Sequence, residues 1–226
     1  MKLRIYLLAV SAIITASSVN AKNDARADIY FTNGTSTECV ELKLPSSWQD
    51  KVEYTTDGRK QKIHADSIDH ILLYHVDVPE RKAFVRRNPV GAFDHKKNEL
   101  KNWKAKNWQF LESAGEHLYY WVSFWKVKVK KDGFSFTLGA DASSYGTPYY
   151  FQKPGNPLTL NIPANPYRTG VTRDWLCVYL GDDPELVKRV SEKGYYSKKP
   201  KDAFRHKGND YNPFFFEEIA VDYNPQ

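Results

Sequence analysis

The residues with which this 226-residue chain could do chemistry are its carboxylates, histidines and two cysteines. Asp141, Asp174, Asp182, Asp183, Glu217 and Glu218 could supply the carboxyl pair of a glycoside hydrolase. No motif singles out two of the six, and Asp182-Asp183-Pro184-Glu185 reads more simply as a helix N-terminus, where negative charge meets the positive end of the dipole. His64, His70 and His75 lack metal-ligand spacing: five residues separate the last two, which puts them on opposite faces of a strand. The chain has no His-Glu-x-x-His, Gly-x-Ser-x-Gly, Walker or Gly-x-Gly-x-x-Gly pattern. A Cys177 and His206 couple has no supporting pattern either, and the apolar neighbours of Cys177 suit a core position. No catalytic residue, metal or cofactor is therefore expected.

Charge is the stronger signal. Residues 81–106 carry Arg81, Lys82, Arg86, Arg87, Lys96, Lys97, Lys101, Lys104 and Lys106 against Asp94 and Glu99, a net +7 in a chain whose total is +6. Trp103 and Trp108 lie in or beside this segment. Cations interleaved with rings suit an acidic polymer, through charge and stacking. The candidate binding residues are Arg86, Arg87, Lys96, Lys97, Lys101, Trp103 and Trp108. The competing reading is a solvated loop with two core tryptophans. Lys126, Lys128 and Lys130 alternate with Val127 and Val129, and are read as the guard of an edge strand.

The compartment follows from the first residues. Lys2 and Arg4 precede the apolar run from Ile5 to Ala16, then come small residues and Val19-Asn20-Ala21. This pattern predicts a signal peptide over residues 1–21, cut after Ala21, and an exported, periplasmic or extracellular protein with no transmembrane segment in the mature chain. Export makes nucleic acid an unexpected partner. In an oxidising compartment Cys39 and Cys177 are a candidate disulfide. Alternation over Thr37 to Leu44 places Val40, Leu42 and Leu44 inward and Cys39 outward.

The elements that must position these groups read as strands first and helices last. Asp28 to Phe31, the turn Asn33-Gly34 and Thr37 to Leu44 form a hairpin; Lys51 to Thr55, Asp57-Gly58 and Lys60 to His64 form another; His70 to Val78 follows. Ala83 to Arg87 is a strand, Asn88 to Asn98 a polar loop, and His117 to Lys130 pairs with Phe134 to Leu138 through Lys131-Asp132-Gly133. The apolar run from Tyr119 to Trp125 predicts a strand buried on both faces. Pro148 to Gln152 adds a strand. Pro154, Pro157 and Pro163 leave a loop or an edge strand up to Asn165. Thr172 caps a short helix. Asp183, with Pro184 behind it, caps the long one, which stops at Gly194, and a last helix lies between Phe214 and Tyr223. The expected fold is α+β, mainly antiparallel sheet with two or three short helices in the C-terminal third. The expected organisation is a small antiparallel module over residues 22–78 and a β-rich module over 79–226, or one continuous domain over 22–226.

The signal peptide, the Asn33-Gly34 hairpin, Lys62-Ile63-His64-Ala65-Asp66-Ser67-Ile68-Asp69-His70-Ile71, Asp182-Asp183-Pro184-Glu185-Leu186-Val187 and the end at Asp222-Tyr223-Asn224 together resemble uncharacterised secreted proteins of Bacteroidota. The resemblance covers residues 28–75 and 172–224. It implies export and a β-then-helix layout, and it transfers no catalytic residue. Two functions stay open: a non-catalytic exported module binding an acidic glycan, an envelope polymer or a protein partner, and an exported hydrolase acting on a polysaccharide or peptide.

Overall fold

The computed structural model describes residues 25–45, 50–130, 133–138, 149–163, 169–192, 194–195 and 215–225. The expected signal peptide, Lys131-Asp132, Asp141, Pro148, Asn165, His206 and Phe214 lie outside the described residues. Two compact units are formed, one from residues 1–88, 106–111 and 123–141, the other from residues 89–105, 112–122 and 142–226.

In the first unit, β1 (Ala25–Phe31) and β2 (Ser36–Cys39) form the expected hairpin. Its turn works because the Asn33 side-chain oxygen accepts from the Thr35 N–H at 3.0 Å, while Gly34 takes φ +85°. The next strand, β3 (Glu41–Leu44), pairs with β4 (Lys51–Thr56) instead of β1. The chain bends at Val40 to change partner, and the bend resets the two-residue phase. Cys39 is consequently 1 % exposed and Val40 37 %, the reverse of the inward Val40 and outward Cys39 expected from unbroken alternation.

A two-residue turn joins β4 to β5 (Arg59–His64), with Asp57 at φ 49° and Gly58 at φ 71°, the left-handed pair that matches strand twist. A 3-10 turn over Ala65–Ser67, capped by the His64 ring accepting from the Asp66 N–H, leads to β6 (Ile68–His75). That strand runs antiparallel between β1 and β7 (Ala83–Asp94). Alternate residues of the three, among them Ile29, Ile71, Leu73 and Val85, are buried. Each such aliphatic side chain contributes about 1.5–3 kcal/mol by leaving water.

The strands β7, β8 (Glu99–Ala114) and β9 (Tyr119–Lys130) contribute residues to both units. In the first unit β9 pairs with β3 on one side and with β10 (Gly133–Leu138) on the other. The strand carrying Lys126, Lys128 and Lys130 is thus not an edge, and the guarding role expected of its lysines falls away.

In the second unit the expected loop after Arg87 is instead the rest of β7, which runs to Asp94; only residues 95–98 turn. Pro89 and Gly91 disguise this strand. The Pro89 carbonyl accepts from the Thr159 hydroxyl at 3.2 Å, and a side chain on Gly91 would meet the Lys101 carbonyl oxygen, 2.4 Å from where its Cβ would stand. After β11 (Tyr149–Gln152), β12 (Thr159–Asn161) pairs with β11 antiparallel and with β7 parallel. It is therefore an inner strand, where a loop or an edge was expected from the prolines around it. The aromatic run of β9 is buried on both faces as expected: Tyr120, Trp121, Val122, Ser123 and Phe124 are all buried.

Among the described residues of the C-terminal third stand three short helices, α1 (Thr169–Tyr179), α2 (Pro184–Ser191) and α3 (Phe216–Asp222). The α+β class and the C-terminal position of the helices are as expected. Two details differ. Thr172 lies inside α1, where its hydroxyl donates to the Pro163 carbonyl at 2.6 Å instead of capping. Among the described residues the longest helix is α1, not the one begun by Asp183, because Asp183 caps a helix that ends after two turns. The Asp183 cap is present, accepting from the Leu186 N–H at 2.9 Å, and its other oxygen accepts from the Asn224 N–H at 2.8 Å. Among the described residues, no helix is long and apolar enough to cross a membrane.

Candidate anion-binding groove

Five of the nine cations of residues 81–106 are paired with carboxylates, most of them far away in sequence. Arg86 reaches Asp69 at 3.0 Å, Arg87 and Lys106 converge on Asp66 at 2.9 and 2.7 Å, and Lys82 reaches Asp28 at 3.0 Å. In the second unit Lys101 reaches Asp94 at 2.9 Å. The hydrogen bond from Lys106, with the charges of Arg87 and Lys106, holds the Asp66 carboxyl below its ordinary range. The hydrogen bond from His70, with the charge of Arg86, does the same at Asp69. Arg86, Arg87 and Lys101 are thus committed to partners inside the protein. Trp108 is 2 % exposed, which removes its ring from any surface, and Trp103 is half-buried. Lys96 and Lys97 remain exposed on the turn after β7.

The histidines are tied separately. His64 stands 3.3 Å from Asp50, and His70 stacks between Tyr30 and Phe84 at centroid distances of 4.4 and 4.9 Å. Both cysteines are free thiols, so the candidate disulfide is not formed here. Burial, aided by the charges of Asp28 and Glu38, pushes the Cys39 thiol up to about 12.

A groove of about 280 Å³ does open in the first unit, over the sheet formed by β9, β3, β4 and β5. Pairing register builds it. Lys128 lies opposite Lys43, Lys43 opposite Glu53, and Glu53 opposite Lys62, one residue from each of four adjacent strands. Strands lie about 4.8 Å apart, so this row brings three ammoniums and one carboxylate onto one face. Lys60, two residues before Lys62 on β5 and so on the same face, adds a fourth cation to the lining. Leu42 and Val129, beside Lys43 and Lys128 but on the opposite face of the sheet, are buried at 2 % and 1 % and anchor the two strands.

Glu53 bridges two of the cations, with Lys62 Nζ 2.8 Å from one oxygen and Lys43 Nζ 3.5 Å from the other. The Lys62 hydrogen bond and the Lys43 and Lys62 charges hold its carboxyl below the ordinary range. Glu41 accepts from the Thr55 hydroxyl at 3.0 Å. Among the described residues no carboxylate stands within ion-pair distance of Lys60 or Lys128. The groove can hold anionic oxygen groups. The one clue to it in the sequence is the Lys-Val alternation of β9, a pattern equally suited to guarding an edge strand.

The second unit holds a different arrangement. Burial, with the Glu217 charge added, pushes the Glu112 carboxyl up to about 7, and burial also raises Glu217. Glu217 was among the six sequence candidates; Glu112 was not, since nothing local marks it. No family model, curated protein or solved structure matches this chain.

Proposed function

We propose that this protein is an exported, non-catalytic binding module whose ligand is an acidic polysaccharide, held by Lys43, Lys60, Lys62 and Lys128. The observation that carries the reading is the excess of ammoniums over carboxylates in one groove: Lys43 and Lys128 sit on strands paired from both sides, where no edge needs guarding, and Lys60 and Lys62 extend the row on β5, which pairs with β4. Lysine heads act as mobile point charges that suit a repeating polyanion. A protein partner is less well supported, because lysine is depleted at the cores of protein interfaces and the groove is small. The signal-peptide pattern of residues 1–21 supports export.

Binding of the purified protein to polygalacturonate, heparin, neutral dextran and poly-glutamate across a salt series tests this. The two acidic polysaccharides should bind and weaken steeply with salt, since a surface charge is screened beyond ~8 Å at physiological ionic strength. Equal binding to dextran, no dependence on salt, or binding to poly-glutamate alone overturns the reading.

One observation favours a second reading, an exported hydrolase acting on a polysaccharide or peptide. Glu112 near pH 7 beside Glu217 has the poise that a general acid needs. Product release from a substrate panel, abolished by E112Q and E217Q, would replace the binding reading.

A further inference from the structure

Resting on the binding reading above, we infer that Glu53 occupies the anion subsite of the groove: its carboxylate is the protein's own stand-in for an anionic group of the polysaccharide, and it limits the affinity and the charge selectivity of the site. The geometry is that of a bound ligand. One carboxylate spans two ammoniums on flanking strands, 2.8 Å from Lys62 and 3.5 Å from Lys43, in the middle of a row that is otherwise lysine.

The side chain is 42 % exposed, so it is reachable from solvent and is not locked into the core. Its backbone position is fixed by strand pairing on both sides, while its head is held only by the two lysines. An incoming carboxylate or sulfate that swings Glu53 aside meets the same two ammoniums, with Lys128 one strand beyond Lys43 and Lys60 two residues before Lys62 on β5. Like charges directly opposite across strands repel, and Glu53 relieves only the Lys43 side of the Lys43–Lys128 pair. A ligand anion placed between Lys43 and Lys128 relieves the other. A singly charged ligand group must compete with Glu53 on equal terms; a polyanion with closely spaced charges does not have to, which makes charge density the quantity the site selects.

The test is a gain of function, which misfolding cannot imitate. The affinities of the protein and of E53Q for oligogalacturonate and for heparin are measured at low salt, together with K43S, K60S and K128S and the thermal shift each probe produces. E53Q should bind both probes more tightly, by about threefold or more, with the larger gain for the carboxylate probe. Its melting point should rise further on adding probe than that of the unsubstituted protein, and the lysine variants should bind less tightly. If the lysine variants lose binding while E53Q binds no better, Glu53 is outside the subsite and the inference fails with the groove reading intact. If the lysine variants bind as before, the groove reading itself fails.

Discussion

Lys43 and Lys128 stand directly opposite each other in the pairing of β3 with β9. A like-charge pair at this position costs stability, and on the reading above it persists because it is needed for an anion. Replacing Lys128 with Glu should therefore separate stability from function. A cross-strand opposite-charge pair gains about 0.5 kcal/mol over a like-charge one, so K128E should unfold at higher denaturant. The same change should abolish binding of acidic polysaccharide. Loss of both stability and binding would mean that Lys128 packs for structural reasons, and retention of both would remove it from the groove.

Glu112 gives a prediction for pH. Its carboxyl is raised from an ordinary 4.5 to about 7 in the folded protein. Between these values the native state keeps a proton that the unfolded chain has released, so stability must fall as pH rises through that window. Below about pH 4.5 both states are protonated and the penalty is absent. E112Q should match the unsubstituted protein at pH 4 and exceed it at pH 8 by on the order of 2 kcal/mol, measured by urea unfolding at each pH. Parallel curves at all pH values would show that Glu112 is well solvated.

The two thiols should behave differently. Cys39 is buried and its thiol pushed up to about 12, so almost no thiolate exists at neutral pH; Cys177 is only half-buried, with burial raising it less. A maleimide added to native protein should modify Cys177 alone, and modification of Cys39 should require denaturant. Intact-mass analysis counts the labels. No label on native protein and none after unfolding without reductant would reveal a disulfide instead.

The strands and helices were legible wherever local chemistry decides them. Asn33-Gly34 and Asp57-Gly58 announce their turns because Gly34, Asp57 and Gly58 take left-handed backbone there, and Asp183-Pro184 announces its helix because cap and first position are both filled. What could not be read was anything set by a distant partner. The bend at Val40 follows from a change of pairing strand, and β12 is inner because β7 and β11 flank it. The same holds for the site. Counting charge within residues 81–106 missed Asp28, Asp66 and Asp69, which come from outside that window and pair with Lys82, Arg86, Arg87 and Lys106. The lysine row is assembled from four strands, contributing Lys128, Lys43, Glu53 and Lys62, and only strand register puts them side by side.

Lys153 holds the second unit together at three points. Its ammonium donates to both oxygens of Asp182, at 3.0 and 2.8 Å, and lies over the rings of Tyr179 and Tyr223 at 5.0 and 5.1 Å. Tyr223 also donates its hydroxyl to Asp182 at 2.6 Å, so the segment after β11, the residues following α1 and those following α3 meet at one carboxylate. Burial works to raise the Asp182 pKa, yet the hydrogen bonds from Lys153 and Tyr223 hold it below its ordinary 3.8. Its contribution is therefore fully present above that value and is lost as pH falls through the lower, folded one. K153M keeps the aliphatic stem and removes the charge; it should cost about 1–2 kcal/mol at pH 7, through lost cation–π and charge-assisted bonding. Y223F removes one hydrogen bond and should cost about 1 kcal/mol. Because both act on Asp182, the double variant should lose less than the two single losses combined, by about 0.5 kcal/mol or more in a double-mutant cycle. Additive losses would show that the lysine and the tyrosine hold the unit independently.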